Sequence, residues 1–324
     1  MKRLTNNIKI GDHEFNFVTE FEAESTYESF TDTCTITLPT KIQFQGKPIA
    51  EGVNSVFKIG DKVKVMLGYD FNNQTVFQGY VTMIGTQTPL QIHCQDAMYL
   101  FKNVSYHKSF KSVTLKELVN YLMSKISEPL KVNVTMDASL GKFMIDSSTG
   151  TAVFEELKKT YGISSFIRDN ELFVGLSFNS NNTESYRKEK EFVFQKQIIE
   201  DDLEYKSEAD RKIKVHASSI DSNNKKIEYT TGDSEGDKVD VFAFNLSSSD
   251  LKKFADEQLE RQKYNGFEGD FLTFGNPLVR HGDVAKLVDL KYPERDGKYI
   301  VKKVVTTFGS GGYRQRISLG KKLS

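Results

Sequence analysis

The feature that most constrains this chain is a period-two alternation of apolar and polar residues that fills its first hundred positions and returns beyond residue 213. Successive side chains of a strand point to opposite faces, so such a pattern means strands with one buried and one wet face. Ile8 and Ile10, then Phe15 and Phe17, flank the turn-prone Gly11-Asp12 and read as a hairpin. Cys34, Ile36 and Leu38 point one way and Thr33, Thr35 and Thr37 the other, until Pro39 stops the strand. Val63, Val65, Leu67 and Tyr69 continue the alternation after Gly60-Asp61, and the polar turn Asp70 to Gln74 leads into Val76, Phe77, Tyr80 and Val81. Leu90, Ile92 and Cys94 form one more strand before Asp96. Short strands at this spacing predict a barrel or sandwich.

From Val113 the period becomes helical, with Leu115, Leu118, Val119, Leu122 and Ile126 at spacings of three and four and a capping box from Thr114 and Glu117. A second helix is predicted over Ala152 to Tyr161, closed by Gly162, and then two strands, Ile163 to Arg168 and Glu171 to Gly175, joined by Asp169-Asn170. The polar, turn-rich stretch from Asn179 to Arg187 reads as a linker. Alternation resumes at Ile213 and Val215, Ile227 and Tyr229, Val239 and Val241, and a helix carrying Leu251, Phe254, Ala255 and Leu259 on one face follows the cap region Ser247 to Ser249. Strands resume at Asp283 and run to Leu319.

At 324 residues the chain is too long for one ordinary core of roughly 100 to 200 residues. The period changes place three domains: an all-β piece over 1–105, an α+β piece over 106–182, and a second β piece over 183–324 with an inserted helix near 250–262. Lys plus Arg and Asp plus Glu are 44 each, which removes the simplest argument for a nucleic-acid binder. The runs Lys188-Glu189-Lys190 and Lys321-Lys322 read as solvated surface. Cys34 and Cys94 lie in apolar alternating runs and are expected as buried free thiols. Residues 1–17 show no secretory signal, and no apolar run is long enough to span a bilayer, so synthesis in a cytoplasm is the expectation.

Chemistry is hard to find. His13, His93, His107, His216 and His281 form no HExxH and no pair at helical spacing. His93 beside Cys94 suggests a base and a nucleophile, but strand neighbours face opposite ways. Glu155 and Glu156, Glu200 to Asp202, and Asp233 to Asp237 are the acidic clusters from which a glycosidase pair could come; adjacency does not promise two carboxylates across a cleft. Asp233 to Asp237 lacks the calcium-loop spacing and reads as a hairpin tip, and Gly309-Ser310-Gly311-Gly312 as a hairpin turn. No catalytic, metal-binding or cofactor-binding residue is assigned.

The most informative pattern is an internal echo. Gly60-Asp61, alternating apolar residues, Tyr69, a polar loop and Gly79-Tyr80-Val81 are answered by Gly282-Asp283, Val284, Leu287, Leu290, Tyr292, a Pro-Glu-Arg-Asp loop, Gly297 and Tyr299-Ile300-Val301. Two readings stand: two related small barrels, or chance likeness of two hairpins.

These segments carry a resemblance. Lys58-Ile59-Gly60-Asp61-Lys62-Val63-Lys64-Val65 with Gly68-Tyr69, then Val76-Phe77-Gln78-Gly79-Tyr80-Val81, is similar to the first barrel of the phage late control D and baseplate hub family. Leu251 to Leu287, with Gly275-Asn276-Pro277 and Gly282-Asp283, and the ending from Gly297-Lys298-Tyr299-Ile300-Val301 to Gly320 resemble the approach to its last barrel and that barrel itself. The likeness covers both β regions; the α+β piece fits by position and length. It implies a mainly β fold in which two small antiparallel β-barrels flank an α+β domain. It also implies a non-catalytic protein that forms a homotrimer with six barrels in a ring, joining a tail tube to a separate spike protein. DNA would be a transient passenger in a lumen carrying few basic residues, and the chain would end in a virion tail or phage-like particle. Two rival classes are a cell-wall hydrolase, which needs converging carboxylates in a cleft, and a carbohydrate-binding module, which needs an exposed aromatic platform.

Overall fold

In a computed structural model of the chain, residues 2–39, 43–44, 47–48, 56–86, 89–136, 138–176, 187–221 and 223–323 are described. Strands hold 52% of the residues and helices 16%, so the fold is mainly β as the alternation predicts. The expected linker from Asn179 to Arg187 lies outside the described residues, apart from Arg187.

Both β regions belong to one thirteen-stranded sheet. Its path runs Ile198–Asp201, Asp270–Phe274, Gly312–Lys322, Gly297–Gly309, Glu20–Thr26, Thr33–Leu38, Leu90–Gln95, Asn72–Ile84, Lys62–Tyr69, Leu4–Ile10, His13–Phe15. The long strand Gly297–Gly309 joins the halves: its first part pairs with Val284–Val288, and from Lys303 onward it pairs with Glu20–Thr26. Neither region closes on itself through hydrogen bonds among the described residues. The strand edge that closure would use is already engaged with the other region.

Alternation sorts the side chains into two cores. One holds Ile8, Ile10, Ile36, Val65, Leu67, Val81, Ile92 and Cys94, and the other Phe192, Phe271, Leu287, Tyr299, Val301 and Ile317. Burying such residues stabilises by roughly 1.5–3 kcal/mol each, which commits the register of every strand, since a one-residue slip turns the apolar set outward. Cys34 and Cys94 face each other across the ladder as buried free thiols. The turn between Lys62–Tyr69 and Asn72–Ile84 is tighter than expected: Asp70 and Phe71 alone make it, both left-handed, and Asn72 to Gln74 are already strand.

The α+β piece has its own core. Helix Leu115–Met123 begins at the predicted capping box, and helix Gly150–Tyr161 ends at Gly162 with φ 67°. Lys131–Val134, Glu171–Leu176 and Ile163–Arg168 form a three-stranded sheet with one parallel pair. The inserted helix, Ser248–Gln262, does not come alone. Ile213–Ile220, flanked by Lys226–Gly232 and by parallel Asp237–Phe244, makes a separate sheet that packs against it through Val215, Ala217, Val241, Leu251 and Ala255. The acidic run Asp233 to Asp237 is therefore not a hairpin tip, because the strands on either side of it do not pair with each other. The two α/β pieces touch where the Tyr161 and Phe244 rings stack, 6.4 Å apart. Among the described residues no helix is long and apolar enough to cross a membrane.

Candidate assembly surface

The motif residues come together in pairs. Gly60, at φ 90°, donates its N–H to the Val81 carbonyl, and the Val81 N–H returns to the Asp61 carbonyl. Gly282, at φ 81°, donates to the Val301 carbonyl, and the Val301 N–H returns to the Asp283 carbonyl. Asp61 Oδ2 accepts the Lys58 N–H at 2.8 Å, and Asp283 Oδ2 accepts the Arg280 N–H at 3.0 Å. A left-handed glycine followed by a carboxylate that caps its own turn is a specific local solution, and the chain builds it twice.

The repeat extends through the sheet. A bulge interrupts the ladder between Val81 and Met83, and another between Val301 and Lys303. Val81 opposes Cys94 as Val301 opposes Leu319, and Ile84 opposes Ile92 as Val304 opposes Ile317. Ile92 opposes Ile36 as Ile317 opposes Phe271, and Thr33 opposes Glu24 as Glu268 opposes Glu204. The first unit's strand Glu20–Thr26 thus corresponds to Ile198–Asp201 plus Glu204–Lys206 in the second. The inserted α/β piece occupies the place of the short turn at Tyr27 to Phe30. The echo seen in sequence pairs Tyr80 with Tyr299; the register instead sets Tyr80 against Ile300 and Gly79 against Tyr299.

The remaining motif residues are structural. Gly79 passes so close to the next strand that a Cβ there would lie 2.0 Å from the Gln95 carbonyl oxygen, and Gly68 is as tightly placed against Asn72. Phe77 is buried in the first core. Tyr80 stacks on Tyr99, which packs against the core of the α+β piece, 5.4 Å between ring centres. The Tyr69 hydroxyl donates to the Tyr313 carbonyl, linking the two units. Tyr299 is fully buried, its hydroxyl accepting the Phe267 N–H at 2.9 Å, and burial pushes its pKa up to about 12. Gly297 opens the strand that joins the units.

A buried polar cluster, missed in the sequence, sits where the two units and the α+β piece meet. Arg168, from the hairpin of the α+β piece, donates to Asp283 Oδ1 at 2.7 Å and to the His281 carbonyl at 2.8 Å, with both charged side chains almost wholly buried. The Ser25 hydroxyl and His281 Nδ1 are 2.6 Å apart, and Asp32 Oδ2 lies 3.7 Å from that same nitrogen. This brings serine, histidine and aspartate together without making a relay. In a nucleophilic triad the serine and the carboxylate address different ring nitrogens; here both address Nδ1, and Nε2 is buried with no partner. Burial, then the Arg168 and Arg280 charges, push the His281 pKa down to about 3, so the ring is a neutral packing element. Burial pushes Asp32 up to about 7 and raises Asp96 well above the usual carboxylate range.

Other chemistry fares no better. No group of three or more His, Cys, Asp or Glu among the described residues could hold a metal. The exposed rings of Phe71, Phe274 and Tyr292 each have a cation over them, from Arg3, Arg314 and Arg295. Glu200 and Asp202 are tied to Arg316, which also holds Asp270.

The large sheet instead offers a surface. Away from the two cores, the register puts Glu20, Glu22, Glu24, Glu200, Asp202 and Asp270 on one face with Lys303, Arg314 and Arg316, six carboxylates to three cations, amid Thr33, Thr35, Gln91 and His93. Lys303 and Arg316 are themselves neutralised, by Glu24 at 2.6 Å and by the three acids around Arg316. The face is mildly acidic and mostly polar, with Leu272, Val305 and the exposed Phe274 set among its charges.

The chain is thus a doubled β unit with a wet face, spliced edge to edge. Solved structures similar to it include phage tail proteins and type VI secretion components. The chain is similar to the 43 kDa tail protein of prophage MuSo2 from Shewanella oneidensis, with 14% identity, a TM-score of 0.64 and 98% of each chain covered. It is similar to a tail protein from Neisseria meningitidis MC58, with 15% identity, a TM-score of 0.64, and 99% of this chain and 97% of that one covered. A further likeness is to an E. coli type VI secretion component described as structurally similar to T4 bacteriophage tail proteins gp27 and gp5, with 10% identity, a TM-score of 0.56, and 98% and 77% covered. At these identities the likeness is one of fold, and it agrees with the resemblance to the baseplate hub family. No protein-family model and no curated protein matches the chain.

Proposed function

We propose that the chain is a structural hub component of a phage tail or phage-derived injection apparatus, acting by assembly and not by catalysis. Two barrel-like units per chain, the first within 1–105 and the second within 183–324, would stand side by side in a ring, and the α+β piece of 106–182 would sit at its periphery. In a homotrimer six such units meet a sixfold tube on one side and a threefold spike on the other. The observation that carries this reading is the repeated unit itself, with the same glycine-aspartate turn, bulge and ladder register in both halves. A ring of these units can present the polar sheet face to a lumen, where an acidic, charge-paired wall would not hold passing DNA as a basic one would.

The test is to delete the gene from its host particle system and image the particles. A hub gives tails without a baseplate tip, restored by the wild-type chain. Normal tails that merely fail to degrade the cell wall would replace this reading with the hydrolase one.

A further inference from the structure

The internal repeat predicts more than a shared shape, because the chain contains one finished junction between units and two edges that match it. In that junction the strand after the second bulge pairs with Glu20–Thr26, placing Lys303 against Thr26, Val304 against Ser25, Val305 against Glu24 and Thr306 against Ala23. The first unit has the same bulge and the same continuation, Met83 to Thr86, but among the described residues nothing pairs with its outer edge. The second unit has the counterpart of Glu20–Thr26, running from Ile198 to Lys206, and it ends the sheet path with no strand on its outer edge among the described residues. The two edges are also where apolar side chains stand in water: Met83 is 52% exposed, Ile199 44% and Tyr205 38%. Inside the finished junction the positions equivalent to Met83 and Tyr205 are Lys303 and Ser25, both half-buried, and Val304, the equivalent of Ile84, is fully buried. Unpaired edges with exposed apolar residues template pairing with another chain.

We propose that the edge at Met83 to Thr86 of one copy pairs antiparallel with the edge at Leu203 to Lys206 of a second copy, in the register that the chain uses internally. The register follows by subtraction. Val301 corresponds to Val81, a difference of 220, and Glu204 to Glu24, a difference of 180. Lys303 against Thr26 therefore becomes Met83 against Lys206, Val304 against Ser25 becomes Ile84 against Tyr205, and Gly85 and Thr86 meet Glu204 and Leu203. The pairing is head-to-tail because the two edges differ, so it propagates until it closes. Ile84 and Tyr205 turn to the core side and become covered, as Val304 is within the chain. This inference rests on the ring reading for the fact of assembly and on the ladder register for its geometry.

The experiment introduces paired cysteines into the full chain: Met83→Cys with Lys206→Cys, separately Ile84→Cys with Tyr205→Cys, and Met83→Cys with Ile199→Cys as an out-of-register control. Directly opposed residues bring their Cβ atoms near disulfide range, so mild oxidation should give at least about tenfold more reducible dimer and trimer from either in-register pair than from the control. Native mass spectrometry of the unmodified chain runs alongside. Assembly by mass with no excess of in-register cross-links overturns the edge pairing and leaves the ring reading standing. A chain that stays monomeric at every concentration, with no cross-linking, overturns both.

Discussion

Asp32 and His281 pull the pH dependence of stability in opposite directions. Asp32 holds its proton up to about pH 7 in the folded chain but only to its ordinary value of 3.8 when unfolded, so the folded state binds more protons between these values and its stability falls as pH rises through them. His281 is lowered from 6.5 to about 3, so its contribution rises with pH across nearly the same window. Asp32→Asn should therefore leave a protein whose melting temperature climbs from pH 4 to pH 7 more steeply than wild type, and His281→Gln one whose melting temperature climbs less or falls, read by calorimetry in overlapping buffers. The two equivalent aspartates give a second contrast. Asp283 neutralises the buried Arg168, whereas Asp61 caps its turn and among the described residues forms no ion pair with an arginine. Asp283→Ala should cost about 3–5 kcal/mol in urea unfolding, since it strands a buried guanidinium, and Asp61→Ala about 1 kcal/mol.

The strands and helices were the part of the fold most legible in the sequence. Thr33–Leu38, Lys62–Tyr69, Leu90–Gln95 and the helix at Thr114 follow directly from period and caps. The repeat was only half legible, because its spacing is not constant. Corresponding residues differ by 222 at Asp61 and Asp283, 220 at Val81 and Val301, 235 at Ile36 and Phe271, and 180 at Glu24 and Glu204. Turns of different length, and the piece inserted between Lys206 and Gly266, shift the frame from strand to strand. Tyr80 and Tyr299 look alike on the page for that reason and occupy different places. The buried cluster was invisible because Ser25, Asp32, Arg168 and His281 come from separate elements and form no local motif. Two predictions belong here. Gly79→Ala drives a Cβ into the Gln95 carbonyl and should cost about 1–3 kcal/mol, seen as a lower denaturation midpoint. Replacing residues 212–262 by a short Gly-Ser turn should leave the large sheet folded, because Arg211 already donates to the Tyr264 carbonyl at 2.6 Å and holds the ends of the gap together. Hydrogen exchange should then stay slow in Gly297–Gly309 and quicken near Tyr161, which loses the Phe244 ring.

For the whole molecule, the two halves are not beads on a string. The strand Gly297–Gly309 completes the second unit with one stretch and joins the first with the other, so the single sheet depends on residues nearly three hundred positions apart, as in Phe308 against Phe21. Such contacts are slow to form, since a long loop must close before any pairing offsets its entropy. A growing chain would display the open edge of Glu20–Thr26 while most of the remainder is still being translated. That edge has the same form as the ones proposed to join finished subunits, so a half-made chain would be open to capturing the wrong strand. The alternating Glu20, Glu22 and Glu24 along it would then have a second use: like charges on a nascent edge would repel the same edge of a neighbouring copy until the proper strand, bearing Lys303, arrives to neutralise Glu24.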